Sequence, residues 1–342
     1  MTLNRLVVIL LLLCATGSLS AQTAQQLLKS GLLALQRNDL AAAHTDLQSA
    51  ATLEPLNARV WVALSQTLWK QNELTRAEDT AQKALNLAGQ DSAVWRSLVI
   101  YYSESGQLRK AAEAQARFAS LNASDTRAND RAVALYFEAV QPLLGAQKFG
   151  EALALLTAVP AAVVKSAQIQ IALGVAYYGL RRYDESADAF LAVIALDPSL
   201  KQPYLFLGKM LDQIPLRLNE VTRLFVAFEK TNPGDSEGFL LHAKALNARG
   251  VEPEAARKLL DKAIAMTPNS ADAHVELAGL LERTQHFPEA AAEFERAEVL
   301  NPTEPATHYR LSRLYQRLNK PEAALAEREQ HRKMVTAQNA ER

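Results

Sequence analysis

Alanine recurs at intervals of 34 residues along this chain, and this interval constrains the fold more than any other feature of the sequence. Six alanines form two series with this spacing: Ala43, Ala77 and Ala111, then Ala256, Ala290 and Ala324. A fixed internal period of this length is typical of a solenoid, in which each repeat packs on its neighbours. The 342 residues therefore indicate a number of repeats rather than a number of globular domains.

Each period predicts a pair of amphipathic helices, because apolar residues recur at helical spacing on both sides of a short polar turn. We number the positions 1 to 34 from Ala24. Small residues fall at positions 8 and 20, where they would let the two helices approach closely, and bulky residues at positions 4, 17 and 24 would fill the space beside the crossing. The turn between the helices carries residues that favour turns, such as Asn38, Asn72 and Gly106.

Proline at position 32 predicts the end of the second helix, because it lacks an amide donor and restricts the residue before it. Four periods have it: Pro55, Pro198, Pro268 and Pro302.

The period is interrupted at two places. The interval that follows Ala111 is 41 residues, and we assign the surplus to an inserted polar loop at residues 123–132. The 70 residues that follow Ser186 contain two repeats and two surplus residues, and the weaker of these repeats has Glu220 where a small residue is expected. The predicted organisation is therefore repeats 1–3 at residues 24–122, the loop, and repeats 4–9 at residues 133–338, ending in a polar cap with Arg328 and His331.

Residues 1–21 resemble a secretory signal peptide. Arg5 gives a positive start, Leu6 to Leu13 are apolar, and small residues lead to a predicted cleavage site after Ser20 or Ala21. The apolar run is too short to span a bilayer as a helix, which takes about 20 residues. We therefore expect an exported bacterial protein, periplasmic or secreted, with no integral membrane segment after cleavage.

The single cysteine, Cys14, lies inside this segment. Leu12 and Leu13 precede it where a lipoprotein signal would have small residues, so lipid anchoring is not expected. The cleaved chain would have no disulfide and would depend on packing alone.

The repeat resembles the tetratricopeptide repeat (TPR). The residues that carry the resemblance are Trp61, Leu64, Ser65, Leu68, Leu74, Ala77 and Ala84 in one repeat, Leu173, Gly174, Tyr177, Tyr183, Phe190, Leu196, Asp197 and Pro198 in another, and His274, Leu277, Ala278, Leu281, Phe287, Ala290, Phe294, Ala297 and Pro302 in a third. The resemblance implies an all-α fold, a right-handed superhelical solenoid of about nine helix-turn-helix repeats. It also implies that the first helices line a concave groove that binds a peptide or another protein.

The resemblance transfers the groove-lining positions to particular residues of this chain. In the first five repeats they are largely apolar: Leu28, Leu32, Val62, Gln66, Trp69, Arg96, Ile100, Phe137, Gln141, Ile171, Val175 and Tyr178. In the later repeats they are mostly cationic: Lys209, Lys244, Arg283, Tyr309, Arg313 and Arg317. We predict a groove for an amphipathic or acidic protein segment. The alternative is that many of these side chains pack between repeats or are simply solvated.

The sequence offers no feature that predicts catalysis. The formal net charge is zero, which argues against nucleic acid as the main partner. His274 and His308 occupy position 4, where a packing role is expected, and no histidine pair has the spacing of a helical zinc site. We expect no enzyme activity, no cofactor and no metal, and we interpret the chain as an interaction scaffold with an unidentified protein partner. The alternative function is a component of envelope assembly or secretion machinery, of the pilus or outer-membrane biogenesis type.

Overall fold

The computed structural model describes residues 23–340, and every regular element in this range is helical. The chain divides into two compact units, Met1–Leu180 and Arg181–Arg342, and the division falls within the fifth repeat. The predicted signal peptide lies outside the described residues. Among the described helices, none is long and apolar enough to cross a membrane.

The N-terminal unit contains ten helices in its described part. They are α1 at residues 23–36, α2 Leu40–Leu53, α3 Ala58–Lys70, α4 Leu74–Leu87, α5 Ser92–Glu104, α6 Leu108–Leu121, α7 Thr126–Gly145, α8 Phe149–Thr157, α9 Ala161–Val164 and α10 Ala167–Gly179. Successive helices pack as antiparallel pairs, and α3 also packs on α5, the first helix of the following pair.

The C-terminal unit contains nine helices in its described part. They are α11 Tyr183–Leu196, α12 Lys201–Lys209, α13 Leu218–Thr231, α14 Ser236–Arg249, α15 Pro253–Met266, α16 Ala271–Arg283, α17 Phe287–Leu300, α18 Pro305–Arg317 and α19 Pro321–Ala340. Two short 3₁₀ turns, Leu211–Gln213 and Pro215–Arg217, connect α12 to α13. The pairs α14/α15, α16/α17 and α18/α19 are the most regular of this unit.

Six of the first helices begin at polar residues whose side chains accept a hydrogen bond from a free amide of the first turn. The capping residues are Asn57, Asp91, Ser166, Asp235, Ser270 and Glu304. A residue with positive φ then ends the first helix at position 15, or at the corresponding place in the irregular repeats. These residues are Asn38, Asn72, Gly106, Gln147, Arg181, Gly250, Gln285 and Asn319.

The small residues at position 20 are buried as the sequence predicts. They are Ala43, Ala77, Ala111, Ala152, Ser186, Ala256, Ala290 and Ala324. Position 8 is equally restricted in the first pair, because a Cβ added to Gly31 would lie 2.6 Å from Cγ of Leu47. The helices of this pair can therefore cross closely only where one of them has no side chain. Position 17 is less buried than predicted, since Leu74 is 57% exposed.

The side chain at position 4 also donates a hydrogen bond, which its size alone does not predict. The indole Nε1 of Trp61 donates to the Pro55 carbonyl at 2.7 Å, and the indole of Trp95 donates to the Gly89 carbonyl at 3.1 Å. Tyr204 makes the corresponding bond to Pro198 at 3.1 Å. In each case the acceptor lies at position 32, six residues earlier, where the preceding helix has just ended. The side chain therefore satisfies a carbonyl that has no helical partner.

The predicted inserted loop at residues 123–132 is wrong. Residues 126–132 form the start of α7, which has 20 residues where the first helices α3, α5, α10, α16 and α18 have 13. The seven surplus residues therefore lengthen one helix. The reason lies in the polar stretch itself, because Ala128 and Ala132 continue the buried face that Leu135 belongs to. α7 also continues through Pro142.

The prediction that Glu220 occupies the small, buried position is also wrong. Glu220 lies exposed in the first turn of α13, and its neighbour Val221 is fully buried in its place. The register differs by one residue because α12 and its connection to α13 together span 17 residues, one more than the 16 of α3 and its turn. The second surplus residue lengthens α14 to 14 residues.

Candidate protein-binding faces

The first helices of the N-terminal unit expose an apolar face, which we define by Leu28, Leu32, Trp69, Ile100 and Phe137. Leu32 is 40% exposed and Ile100 is 47% exposed, while the other three are half-buried. These side chains lie on α1, α3, α5 and α7. Ile171, Val175 and Tyr178 on α10 are half-buried, and Arg96 and Gln141 are exposed. Most of the predicted groove residues of this unit are therefore accessible, at least in part.

Two predicted groove residues of this unit serve the interior instead. Val62 is only 3% exposed, because α3 is enclosed by α4 and α5, so its side chain cannot reach a partner. Gln66 is half-buried and its Nε2 donates to the Ser97 carbonyl on α5 at 3.3 Å. Its side chain therefore links neighbouring repeats, which is the alternative that the sequence left open.

The C-terminal unit exposes a different surface, the cationic face, which we define by Arg283, Tyr309, Arg313 and Arg317. The last three lie at i, i+4 and i+8 on α18 and so share one side of the helix. All four side chains are exposed, with Tyr309 at 48%. The Arg313 guanidinium lies 5.9 Å from the centre of the Tyr309 ring.

Little negative charge opposes the cationic face. Arg283 donates to the backbone carbonyl and the side-chain oxygen of Asn247, at 2.8 and 2.7 Å, and both acceptors are neutral. Among the described residues, Arg313 has no ion-pair partner, and Arg317 reaches Glu282 only at 3.9 Å. The guanidinium groups are therefore held in place without being neutralised.

Arg310 neutralises Glu282 and links α18 to α16. Its guanidinium donates to Glu282 at 2.9 Å and lies 4.6 Å from the centre of the Phe294 ring. The guanidinium crosses α16 at Gly279, where an added Cβ would come within 3.2 Å of it. This contact fixes the spacing of the two helices that carry the cationic face.

The two lysines of the predicted set differ from each other. Lys209 is exposed on α12, 5.7 Å from the centre of the Phe206 ring. The Lys244 side chain is only 13% exposed, and its ammonium pairs with Asp272 on α16 at 3.4 Å. Lys244 is therefore not an accessible cation, because its ammonium group pairs with Asp272 of the next repeat.

Sequence reasoning missed a series of histidine–glutamate pairs in the C-terminal unit. Nδ1 of His242 lies 2.6 Å from Glu229, Nδ1 of His274 lies 2.6 Å from Glu293, and Nδ1 of His308 lies 2.7 Å from Glu327. His274 and His308 are buried at position 4 as predicted, and their Nε2 atoms face the carbonyls of position 32. The spacing of 19 residues between each of these two histidines and its glutamate was the available signal.

The environment of His308 favours a positive charge. Burial lowers the pKa of its imidazole, but the hydrogen bonds to Glu327 and Pro302 and the charges of the nearby carboxylates outweigh burial and raise the pKa above its usual value. Burial raises the pKa of the neighbouring Glu298 carboxyl, and the charge of Glu327 adds to the effect.

Comparison with known proteins agrees with the repeated helix pairs. Models described as tetratricopeptide repeat match residues 34–99, 137–200 and 240–305. The fold and the exposed first-helix faces define a class, the all-α repeat scaffolds that bind other proteins. The chain belongs to the tetratricopeptide repeat family and has its solenoid fold. No curated protein sequence matches it significantly.

Among solved structures, the chain is similar to a thermophilic TPR protein of Thermus thermophilus, with 21% identity, 50% of this chain and 92% of that chain covered, and a TM-score of 0.45. It is similar to the type IV pilus biogenesis factor PilW, with 16% identity, 58% and 91% covered, and a TM-score of 0.49. It is similar to the MamA protein, with 20% identity, 51% and 94% covered, and a TM-score of 0.38. At such scores these similarities have no bearing on function.

Proposed function

We propose that this protein is an exported, non-enzymatic scaffold whose first helices bind a segment of another protein. The observation that carries the proposal is the cationic face, where Tyr309, Arg313 and Arg317 are exposed on one side of α18 and Arg283 is exposed on α16. Arginine and tyrosine are the side chains that most often dominate the energy of a protein interface. A partner segment with acidic residues around an apolar side chain would fit this surface.

Charge supports an acidic partner for the end of the chain. From Pro305 to Arg342 there are eight lysine or arginine residues against four glutamates, although the whole chain is neutral. Guanidinium groups bind carboxylates in a fixed, two-pronged geometry. Tyr309, placed one turn before Arg313, supplies the apolar contact.

Export is part of this proposal and depends on residues 1–21, whose pattern is that of a signal peptide. The same pattern favours the second candidate function, a component of envelope assembly or secretion machinery, because such a component acts outside the cytoplasm. The identity of the bound partner separates the two. A structural subunit of an envelope assembly supports the second function, and an unrelated exported protein supports a general adaptor.

Site-specific photo-crosslinking in the native envelope tests the proposal. A crosslinking amino acid replaces Arg313 in one variant and Val299 in the other. Val299 is a matched control, because it is 81% exposed on the neighbouring second helix α17. We expect a discrete crosslinked partner from position 313 and none from position 299, followed by identification through mass spectrometry.

Equal crosslinking from both positions, or none from position 313 in any growth condition, would contradict the assignment of the cationic face. Catalytic turnover by the purified protein would contradict the non-enzymatic part.

A further inference from the structure

Three ligand-type side chains from three different helices meet near the end of the repeat array. Glu298 lies on α17, His308 on α18 and Glu327 on α19. One potential ligand atom from each side chain, an imidazole nitrogen and two carboxylate oxygens, lies within 4.8 Å of the other two. The His308 side chain is only 4% exposed, and those of Glu298 and Glu327 are 29% and 16% exposed. The cluster is therefore set into the protein rather than spread over its surface.

The tautomer of His308 follows from its contacts. Nε2 lies 3.3 Å from the Pro302 carbonyl, which can only accept, so Nε2 carries a hydrogen. In the neutral imidazole the lone pair of Nδ1 then points at two carboxylates, with Glu327 at 2.7 Å and Glu298 at 3.4 Å. Three facing acceptors are held together by a cation, either a proton on Nδ1 or a metal ion in its place. A histidine with one nitrogen bonded to a backbone carbonyl and the other directed at a cation is the usual arrangement of a metal ligand.

The preceding repeat provides an internal comparison. His274 has the same two contacts, to the Pro268 carbonyl and to Glu293. One period before Glu298, however, the residue is Ile264, which packs against the core. The second carboxylate is therefore not required by the repeat and is specific to His308.

We propose that Glu298, His308 and Glu327 bind one divalent transition-metal ion of the Zn²⁺ type. One imidazole nitrogen and carboxylate oxygens are ligands that Zn²⁺ accepts, whereas Mg²⁺ and Ca²⁺ prefer oxygen alone. A three-ligand site leaves a coordination position for water or for a carboxylate of a partner. Bound metal would join α17, α18 and α19, and so stabilise the last described helix pair.

Isothermal titration of the tag-free full-length protein with ZnCl₂ after chelator treatment tests the site. We expect one Zn²⁺ per chain for the wild type. Loss of a ligand in Glu298→Gln should weaken binding by at least about tenfold, a fall of the size produced even by loss of a supporting group around a metal site. His308→Asn should abolish it. The matched control is His274→Asn, which removes the equivalent histidine one repeat earlier and should leave Zn²⁺ binding unchanged.

The proposal is overturned if the wild type shows no saturable Zn²⁺ binding, or if Glu298→Gln binds Zn²⁺ as tightly as the wild type. Equal loss of binding in His274→Asn and His308→Asn would also overturn it, because it would place the metal elsewhere. Circular dichroism of each variant identifies an unfolded protein. If His308→Asn does not fold, Glu298→Gln decides, since that change keeps the shape of a partly exposed side chain.

Discussion

At the residue scale, most first helices end at a residue with positive φ, and this backbone conformation is strained where the residue is neither glycine nor asparagine. Eight of the nine pairs in the described chain have a residue with positive φ there, and only Gly106 and Gly250 are glycines. Asparagine tolerates this conformation, but Gln147 and Gln285 adopt it at a cost. The turn could be predicted from Asn38, Asn72 and Gly106, whereas the glutamine positions follow only from the repeat period.

Gln285→Gly should therefore stabilise the protein. Gln285 has φ +66°, and removing its Cβ strain should raise the free energy of unfolding by about 0.5–1 kcal/mol. The measurement is the urea midpoint of the full chain. Gln316→Gly is the control, because Gln316 is exposed inside α18 and a helical glycine should lower the midpoint. A urea midpoint for Gln285→Gly below that of the wild type would contradict the inference that Gln285 is strained.

The hydrogen bond at position 4 gives a second prediction. Trp61→Phe keeps most of the ring but leaves the Pro55 carbonyl without its donor, which should cost about 1 kcal/mol of stability. The control is Trp69→Phe, since the Trp69 indole makes no hydrogen bond to any described residue, and its effect should be smaller. Thermal unfolding of the two variants compares them. Equal losses would show that the Pro55 bond contributes little.

At the element scale, close helix crossing depends on a missing side chain. Gly31→Ala would bring a Cβ within 2.6 Å of Leu47, whose side chain is fully buried, so α1 and α2 must separate. We expect a loss of about 1–3 kcal/mol, the usual range for overpacking a core. Denaturant unfolding measures it.

Gly145→Ala is the matched control for this change. No atom lies within 4 Å of an added Cβ there, and the residue ends α7 without positive φ. Alanine should therefore leave the stability unchanged or raise it. A loss as large as that of Gly31→Ala would mean that the crossing is not the cause.

Helix pairs are predicted well from the sequence because the apolar residues within each repeat recur at helical spacing. The sequence predicted less well where two signals competed. Residues 123–132 are polar in composition, but Ala128 and Ala132 are spaced for a helix face, and the packing of that face decides the structure. The cluster of Glu298, His308 and Glu327 was not predicted, because its residues lie on three different helices and only the repeated spacing of 19 residues between histidine and glutamate signals it. Val62 and Lys244 were misassigned for the same reason, since neighbouring repeats cover them.

At the scale of the whole molecule, the chain has no formal net charge, but its exposed first-helix surfaces differ. They are largely apolar in the N-terminal unit and cationic in the C-terminal unit. Arg313→Glu with Arg317→Glu should reduce capture of the partner by at least about tenfold, because it turns attraction into repulsion toward an acidic segment. Raising the salt concentration should weaken wild-type capture as well, since exposed charges are screened. Quantitative pull-down of the crosslinked partner measures both.

Arg257→Glu with Lys258→Glu is the matched control, because it makes the same change in net charge on exposed positions of the second helix α15. Its capture should equal that of the wild type. Equal losses in the two double variants would assign the effect to net charge and contradict a defined cationic face.

The central claim is that helix pairs make up both units of the described chain, with no segment of another fold. Hydrogen exchange of the free protein, followed by mass spectrometry, tests this most directly. We predict protected amides in all nine pairs, with the fastest exchange in the pair turns and in the 3₁₀ turns at residues 211–217. A stretch longer than one repeat between residues 40 and 317 that exchanges as fast as an unfolded chain would contradict the claim.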